Sequence, residues 1–355
     1  MNYNALFSVI TCPLSWLYGI AVGVRSFMFD RGWLHSKTYE LPIICVGNLA
    51  VGGTGKTPHV EYILRLLHQE GYHVAMLSRG YGRETKGYIL ANHAHHSAAE
   101  IGDEPFQMMH NCPFATIAVC EKRVLGIDRL LHEHPETDVI VLDDAYQHRY
   151  VKAGLNVLLT DAHRLYTRDH LLPWGRLREP SSGARRANVV VVTKCLEGEK
   201  PSLPTLDNQS LFYSRIVYAM PEKRDGKQLE TSAYAGQRIL LIAGIANPKP
   251  LETFLQKQGA DVVLVSFPDH HAFRPSDAAR INSLWKTHGC TMVVTTQKDN
   301  TRIGDIYPHL AEGIKENFLV QPITVELTDR NDNQQSFNQI ILHYVGTNKR
   351  NCKVD

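Results

Sequence analysis

Residues 46–60 read VGNLAVGGTGKTPHV and follow a short apolar run from Ile43 to Val46. A helical pattern over residues 57–70 comes directly after the glycines. Successive backbone N–H groups of such a loop can point at phosphate oxygens, and the N-terminus of the following helix adds the positive end of its dipole. The stretch therefore predicts a strand, a phosphate-binding loop and a helix, the unit on which P-loop α/β folds are built.

The side chains of this loop have separate predicted tasks. Lys56 would reach the β- and γ-phosphates of ATP, and the Thr57 hydroxyl would bind Mg²⁺. The strict motif has glycine where Ala50 stands, but the Gly-Gly-x-Gly-Lys-Thr core is complete. A glycine-rich structural turn is the alternative. We predict that ATP binds along the loop, through Ala50, Val51, Gly52, Gly53, Thr54, Gly55, Lys56 and Thr57.

Beyond the loop, short apolar runs alternate with helical patterns. Continuous apolar strands joined by helices are typical of a parallel, doubly wound sheet that is covered on both faces. We predict such a sheet, with a helix at 121–134 and further strands at 73–78, 115–119, 138–142, 155–160 and 188–193.

The length of 355 residues favours two domains. A polar stretch at 197–209 has the composition of a linker, and new strand patterns follow it at 210–220, 238–243, 261–266, 291–296 and 317–324. Helical patterns lie among them at 248–258 and 275–288. We predict an N-terminal membrane-associated helix, a P-loop ATP-binding kinase domain and a smaller second α/β domain that closes over the nucleotide, at residues 1–35, 36–208 and 209–355.

Charge and cysteine usage exclude some classes of protein. A formal net charge of +2 gives no case for a nucleic-acid partner. The seven cysteines form no C-x-x-C pair, a pattern that favours buried thiols in a reducing compartment over a disulfide framework.

The N-terminal segment from Ala5 to Val24 carries no charge, and Arg25, Arg31 and Lys37 follow it. This length is about what a helix needs to cross a bilayer core. Aromatic side chains within and beside the segment would suit the membrane interface. We predict a membrane-associated helix that either spans the bilayer or lies in its interface; a buried helix of a soluble enzyme is the alternative.

The run Asp138-Val139-Ile140-Val141-Leu142-Asp143-Asp144 has the pattern of a buried strand that ends in two acids. In phosphate-loop proteins an aspartate at such a strand end holds Mg²⁺ opposite the loop threonine. Consecutive residues of a strand point to opposite sides, so one acid can face the metal and the other a neighbour. Thr57, Asp143 and Asp144 are the predicted metal ligands; a structural turn aspartate is the alternative.

Transfer of a phosphoryl group to a hydroxyl benefits from a general base. Candidates are Asp103 and Glu104 in a Gly-Asp-Glu-Pro segment, and the run Asp269-His270-His271. A carboxylate paired with an imidazole could take the proton at neutral pH. Spacing alone leaves these open against a solvated helix start at Asp103 and a surface loop at His270.

Taken together, several motifs resemble one family, the tetraacyldisaccharide 4'-kinases of lipid A biosynthesis in Gram-negative bacteria. The matching stretches are VGNLAVGGTGKTPHV (46–60), LSRGYGR (77–83), GDEP (102–105), VLDDAYQH (141–148), GRLREP (175–180), GIANP (244–248), FPDHHAF (267–273) and TTQKD (295–299). Ala50 and the pair Ala145-Tyr146 depart from the residues more usual in that family.

The resemblance implies transfer of the ATP γ-phosphate to the 4'-hydroxyl of a tetraacyldisaccharide 1-phosphate, which forms lipid IVA. It implies that Asp103 is the catalytic base, aided by His270. The catalytic group implied in this way comprises Asp103, His270, Lys56 and Asp143. The implied substrate-binding residues are Arg79, Tyr81, Glu104, His148, Arg178 and Glu179.

A substrate with four acyl chains stays in the bilayer, so the resemblance also implies an enzyme at the cytoplasmic face of the inner membrane. We expect a monomer that contacts the lipid substrate and the membrane surface. One alternative is a membrane-associated P-loop ATPase switch without an acceptor. A GTP-dependent metal chaperone is a weaker one, because Thr193-Lys194-Cys195-Leu196 lacks the aspartate of a guanine-binding motif.

Overall fold

The structure is a computed structural model that describes residues 3–92, 94–269, 271–329 and 335–348. The strands are β1 (Ile43–Asn48), β2 (Val74–Ser78), β3 (Ile89–Leu90), β4 (Thr116–Val119), β5 (Val139–Asp143), β6 (Leu155–Asp161), β7 (Val189–Thr193), β8 (Ser210–Tyr218), β9 (Glu222–Lys223), β10 (Arg238–Ala243), β11 (Asp261–Ser266), β12 (Met292–Thr296), β13 (Phe318–Gln321) and β14 (Ile323–Asp329). The α-helices are α1 (Tyr3–Asp30), α2 (Lys56–Gln69), α3 (Ala98–Ile101), α4 (Asp103–Asn111), α5 (Arg123–Glu133), α6 (Lys249–Lys257), α7 (Pro275–His288), α8 (Gln297–Ile303), α9 (Glu312–Glu316) and α10 (Phe337–Asn348).

The chain forms two compact units. The first contains residues up to 101, residues 108–216 and residues from 325 onward, and the second contains residues 102–107 and 217–324. A nine-stranded sheet in the order β14-β8-β7-β6-β1-β5-β2-β4-β3 organises the first unit, and its strands from β8 to β4 run parallel. The predicted parallel α/β sheet is confirmed.

The loop-bearing strand β1 lies in the middle of this sheet, with β5 on one side and β6 on the other. Both β1 and β5 are buried along their whole length, as their unbroken apolar runs predict. In an open α/β sheet, ligands bind beyond the carboxyl ends of the strands where the strand order switches direction. The carboxyl ends of β1, β5 and β6 therefore mark the place for a ligand.

Helix α2 covers β1 with one apolar face. Its buried residues recur at helical spacing and are His59, Val60, Ile63, Leu64 and Leu67. Burial of a side chain the size of leucine stabilises a fold by roughly 1.5–3 kcal/mol, so this face fixes the helix that begins at the loop.

Helix α1 packs along the first unit by one face only. The Ser15 hydroxyl donates to the Leu171 carbonyl at 2.9 Å, and the Tyr18 hydroxyl donates to the Arg178 carbonyl at 2.7 Å. Among the described residues, α1 supplies the candidate for a membrane span, Thr11–Asp30, with only 11% of it buried. Most of this part of α1 is therefore exposed rather than packed in the core. Large apolar side chains line its exposed face: Leu14, Trp16, Leu17, Ile20, Val24 and Phe27.

The second unit has its own five-stranded sheet in the order β11-β10-β12-β13-β9, parallel except at β9. A single strand was expected at 317–324. The structure divides it at Pro322 into β13, in the second sheet, and β14, in the first. Proline has no N–H to donate to a ladder, so the chain changes sheets there.

The units also differ from the division predicted at residue 208. The polar stretch at 197–209 joins β7 to β8, which are neighbours in one sheet, so its interpretation as an inter-domain linker is wrong. Residues from 325 onward return to the first unit. Composition reveals a polar connection, but strand pairing decides whether that connection separates domains.

Candidate functional site

The glycine loop between β1 and α2 has a backbone that only glycine adopts easily. Gly52 and Gly55 have φ angles of 108° and 82°, and Gly55 is the N-cap of α2. Side chains fix the loop from both sides: the Asn48 amide donates to the Thr54 hydroxyl at 2.8 Å, and the Thr193 hydroxyl donates to the Thr54 carbonyl at 2.9 Å. The loop is therefore held in shape by the ends of β1 and β7.

The segment 175–180 lies against the loop through backbone hydrogen bonds. The Val51 amide donates to the Arg176 carbonyl at 2.8 Å, and the Arg178 amide donates to the Leu49 carbonyl at 2.7 Å. This pairing brings the Arg178 side chain to the carboxyl end of β5. Arg178 was expected in the site, and its proximity to the loop is a consequence of this pairing.

The paired acids stand where β5 ends. Asp143 is 3% exposed and accepts a hydrogen bond of 3.3 Å from the Ser78 hydroxyl at the end of β2. Asp144 has a φ angle of 46°, which is uncommon for a residue with a side chain. The two carboxylates have different partners, but Asp144 lies beyond the end of β5, so the turn and not strand alternation sets its direction.

Two cations surround the Asp144 carboxylate. The Lys56 ammonium lies 3.5 Å from it, and the Arg178 guanidinium lies 3.0 Å from both of its oxygens. Burial by itself would raise the pKa of Asp144, but Lys56 and Arg178 together hold that pKa below its usual value. The site thus combines an ionised acid and two cations beside the glycine loop, a charge arrangement suited to a phosphate chain and its metal.

A buried arginine that the sequence analysis missed lies behind the acids. Arg123 is 2% exposed and donates to the Cys120 carbonyl at 2.6 Å and to the Asp143 carbonyl at 3.3 Å. It fixes the backbone at the end of β5. The signal was an arginine on the inward face of the helical pattern at 121–134, where the neighbouring inward positions are apolar.

Glu179 joins three segments around the loop. It is 5% exposed and accepts hydrogen bonds from Gln147 at 2.8 Å and Arg186 at 2.9 Å. Gln147, another residue that sequence reasoning missed, also donates to the Asn48 carbonyl at 2.8 Å. These contacts give Glu179 a positioning task, whereas substrate binding by Glu179 stays a prediction.

The other expected substrate residues have different surroundings. Arg79 and Tyr81 follow β2 and are exposed, Tyr81 to 81%. His148 is half-buried, and burial lowers its pKa to about 4. Their roles in binding substrate stay predictions.

The candidate bases belong to the second unit. Asp103 and Glu104 are half-buried in the first turn of α4, so a helix does begin at Asp103. The Asp103 carboxylate accepts a hydrogen bond of 2.6 Å from Arg302, a contact that the sequence did not indicate. His270 lies outside the described residues.

The residues expected to hold Mg²⁺ offer oxygen ligands only. Thr57 is in the first turn of α2, and the paired acids Asp143 and Asp144 end β5. No group of three His, Cys, Asp or Glu side chains with metal-binding geometry occurs in the described part of the chain. The donor set fits Mg²⁺, which commonly takes one or two carboxylates and completes its shell with phosphates and water. It gives no support to a dedicated metal-carrying site.

His59 lies directly beneath the glycine loop. Its Nδ1 is 2.7 Å from the Gly55 carbonyl and its Nε2 is 2.9 Å from the Ser214 hydroxyl. A carbonyl can only accept, so we assign the proton to Nδ1 and let Ser214 donate to Nε2. Burial lowers the pKa of His59 to about 4, against the opposing effect of the Gly55 hydrogen bond. The imidazole is therefore neutral at physiological pH.

This neutral imidazole makes stability depend on pH. On acidification below 6.5 the unfolded chain takes up a proton at His59 before the folded protein does, so stability falls between pH 6.5 and 4. The full loss due to His59 is about 3 kcal/mol. In urea unfolding at pH 7.5 and 5, we expect His59→Gln to reduce the difference between the two free energies of unfolding.

The matched control is His68→Gln, on the exposed side of the same helix, where His68 stacks on Phe114. This control should keep the pH dependence of the unsubstituted protein. An undiminished pH dependence in His59→Gln would contradict the assignment.

Comparison with known proteins gives a consistent result. A family model described as tetraacyldisaccharide-1-P 4'-kinase matches residues 7–344. A tetraacyldisaccharide 4'-kinase of Bacteroides fragilis is 45% identical, with 96% of this chain and 93% of that protein covered. One of Parabacteroides distasonis is 44% identical, with coverage of 99% and 98%. The crystal structure of LpxK from Aquifex aeolicus in complex with ATP matches with a TM-score of 0.75 at 28% identity, over 94% of this chain and 98% of that one.

Proposed function

The chain belongs to the tetraacyldisaccharide-1-P 4'-kinase family, and from this premise we propose that its glycine-loop site transfers the γ-phosphate of ATP to the 4'-hydroxyl of an acylated glucosamine disaccharide 1-phosphate. It is an ATP-dependent kinase of lipid A biosynthesis. The observation that supports this use of the site is the cluster of Lys56, Asp144 and Arg178 beside the loop, at the carboxyl ends of β1 and β5.

The loop and the cations bind the triphosphate. Backbone amides of the loop contact phosphate oxygens, except that of Val51, which donates to the Arg176 carbonyl. Lys56 turns from Asp144 toward the β- and γ-phosphates. Arg178 stays beside Asp144 and adds positive charge where negative charge grows during transfer. Thr57 and the paired acids Asp143 and Asp144 would hold Mg²⁺, which would supply positive charge beside the phosphates.

The acceptor hydroxyl loses its proton to a base in the second unit. Asp103 has this role, aided by His270, on the strength of the family resemblance. A carboxylate in the first turn of a helix suits the task because the helix backbone fixes its position. Glu104, Arg79, Tyr81 and His148 bind the sugar and its phosphate in this scheme.

Two substitutions separate nucleotide binding from chemistry. Asp103→Ala should lower kcat by about 10²–10⁴-fold with little change in ATP affinity, because it removes only the proton acceptor. Lys56→Ala should weaken ATP binding and lower kcat together, because Lys56 contacts the phosphates before and during transfer. Calorimetry with ATP and Mg²⁺ gives the affinity, and phosphorylation of the acylated disaccharide in detergent gives kcat.

Lys257→Ala on the exposed surface of α6 is the control for Lys56→Ala. Near-normal turnover in Asp103→Ala would remove Asp103 as the base. ATP hydrolysis without a phosphorylated lipid product would instead favour the switch alternative. The kinase predicts one ADP released for each lipid phosphorylated.

The arrangement of α1 supports a helix that lies in the membrane interface rather than one that spans the bilayer, and the family resemblance implies the cytoplasmic face of the inner membrane. One face is fixed to the first unit by Ser15, Tyr18 and an ion pair of 2.6 Å between Arg149 and Asp30. The other face presents apolar and aromatic side chains. A spanning helix would break these polar contacts, whereas an interfacial helix keeps them and buries only its apolar face. In this arrangement a monomer brings its ATP site to a lipid substrate.

Acidic substitutions on the exposed face test this arrangement. Trp16 and Leu17 are 69% and 58% exposed, so Trp16→Glu with Leu17→Glu should leave the fold and ATP binding intact. The pair should strongly reduce sedimentation with anionic phospholipid vesicles, because charges are costly where the helix enters the membrane.

Leu196→Glu is the matched control, since Leu196 is also 69% exposed but lies outside α1. It should sediment like the unsubstituted protein. Undiminished sedimentation of the Trp16 and Leu17 double variant would defeat the interfacial arrangement.

A further inference from the structure

Two segments with no role so far, GIANP (244–248) and TTQKD (295–299), meet in the second unit around a buried carboxylate. Asp299 is 0% exposed. Its Oδ2 accepts hydrogen bonds from the Gly244 amide at 3.0 Å and from the Thr296 hydroxyl at 2.8 Å. Thr296 in turn caps α8 by accepting from the Asp299 amide at 3.0 Å. The start of α8 is thus fixed to the end of β10.

Arg302, on the same helix, extends this network to Asp103. Its Nε and Nη2 donate to Oδ2 of Asp103 at 2.8 and 2.6 Å. Its Nη1 donates to the Gly244 carbonyl at 3.3 Å and lies 3.5 Å from Asp299. The Arg302 side chain is 6% exposed, so the guanidinium is held between two acids and a backbone carbonyl, largely away from water.

The network leaves little room for variation at Gly244. A Cβ atom placed on this residue would lie 2.9 Å from Oδ1 of Asp299, closer than side chains tolerate. Burial raises the pKa of Asp299, although the Gly244 amide and the Thr296 hydroxyl act in the opposite direction. Buried ionic groups are costly and are weak contributors to stability, which favours another reason for their presence.

A general base can accept a proton efficiently only when it is correctly oriented toward the group that loses the proton. Reacting groups have to meet within hydrogen-bonding distance and with correct alignment, and a displacement of about 1 Å can cost about 100-fold in rate. Two donors of one planar guanidinium hold Oδ2 of Asp103 at 2.8 and 2.6 Å and so restrict where the carboxylate can lie.

We propose that Arg302 is the positioning residue for the Asp103 carboxylate, and that Asp299 and Gly244 hold Arg302 in place. This inference rests on the proposed function, in which Asp103 accepts the proton of the sugar hydroxyl. According to this proposal, the segments 244–248 and 295–299 together orient the side chain of residue 103 in the segment 102–105.

The test begins with Arg302→Met, which keeps the length of the side chain and removes its donors. We expect kcat to fall by about 10–100-fold, while the Kd for ATP with Mg²⁺ changes less than about twofold. Arg238→Met is the matched control in the same unit, since Arg238 is half-exposed and pairs with Asp261 at 3.3 Å. The control should keep its kcat.

A double variant distinguishes positioning from a merely structural role. In the Asp103→Asn background, Arg302→Met should cause little further loss of kcat, because Arg302 acts only through the carboxylate that has been removed. Multiplicative losses would overturn the proposal. Thermal melting of each variant shows whether the fold survives.

Two milder variants keep the proposal testable if Arg302→Met does not fold. Arg302→Lys keeps the charge but loses the planar fork, so its kcat should lie between those of the unsubstituted protein and Arg302→Met. Asp299→Asn preserves shape and should lower kcat with unchanged ATP affinity. Wild-type kcat in both of these folded variants would contradict the proposal.

The outcome is separable from that of the proposed function. If Asp103→Asn keeps near-normal turnover, the base assignment fails together with this inference. If Asp103→Asn is severely impaired while Arg302→Met turns over like the unsubstituted protein, only the positioning role of Arg302 is overturned.

Discussion

One carboxylate between two cations organises the first unit. Asp144 lies 3.5 Å from Lys56 and 3.0 Å from Arg178, at the point where the central strands end beside the glycine loop. Lys56 comes from α2, Asp144 from the end of β5 and Arg178 from the segment at 175–180. This contact among three side chains can form only if all three elements are correctly placed. It therefore depends on the order of the strands, on the backbone of the glycine loop and on the hydrogen bonds between that loop and the segment 175–180.

Buried polar side chains keep that register. Asn48, His59 and Thr193 each hydrogen-bond to the loop, and Arg123 donates to the carbonyl of Asp143. Buried polar groups cost free energy unless they are satisfied, so these contacts specify a single loop geometry more than they add stability. Phosphate recognition by backbone amides depends on that geometry, because an amide that points elsewhere contributes nothing.

In the second unit, too, buried polar contacts join residues that are far apart in the chain. Its sheet and its α8 bring Asp299 and Arg302 to Asp103, which precedes them by almost 200 positions in the chain. Helix α1 belongs to neither of the two sheets. One of its faces makes specific polar contacts with the first unit, and the other exposes apolar side chains.

Most strands of the parallel sheet, the glycine loop, the paired acids and the family could be predicted from the sequence, because apolar runs and glycine positions are local signals of backbone geometry. The segment of β8 was also recognised as a strand, but it was assigned to the wrong unit. Other features became visible only in the folded molecule. The return of β14 to the first sheet, the contact of Arg178 with Asp144 and the contact of Arg302 with Asp103 join residues far apart in the chain. Such contacts depend on strand register and on the packing of side chains in three dimensions, which no local pattern encodes.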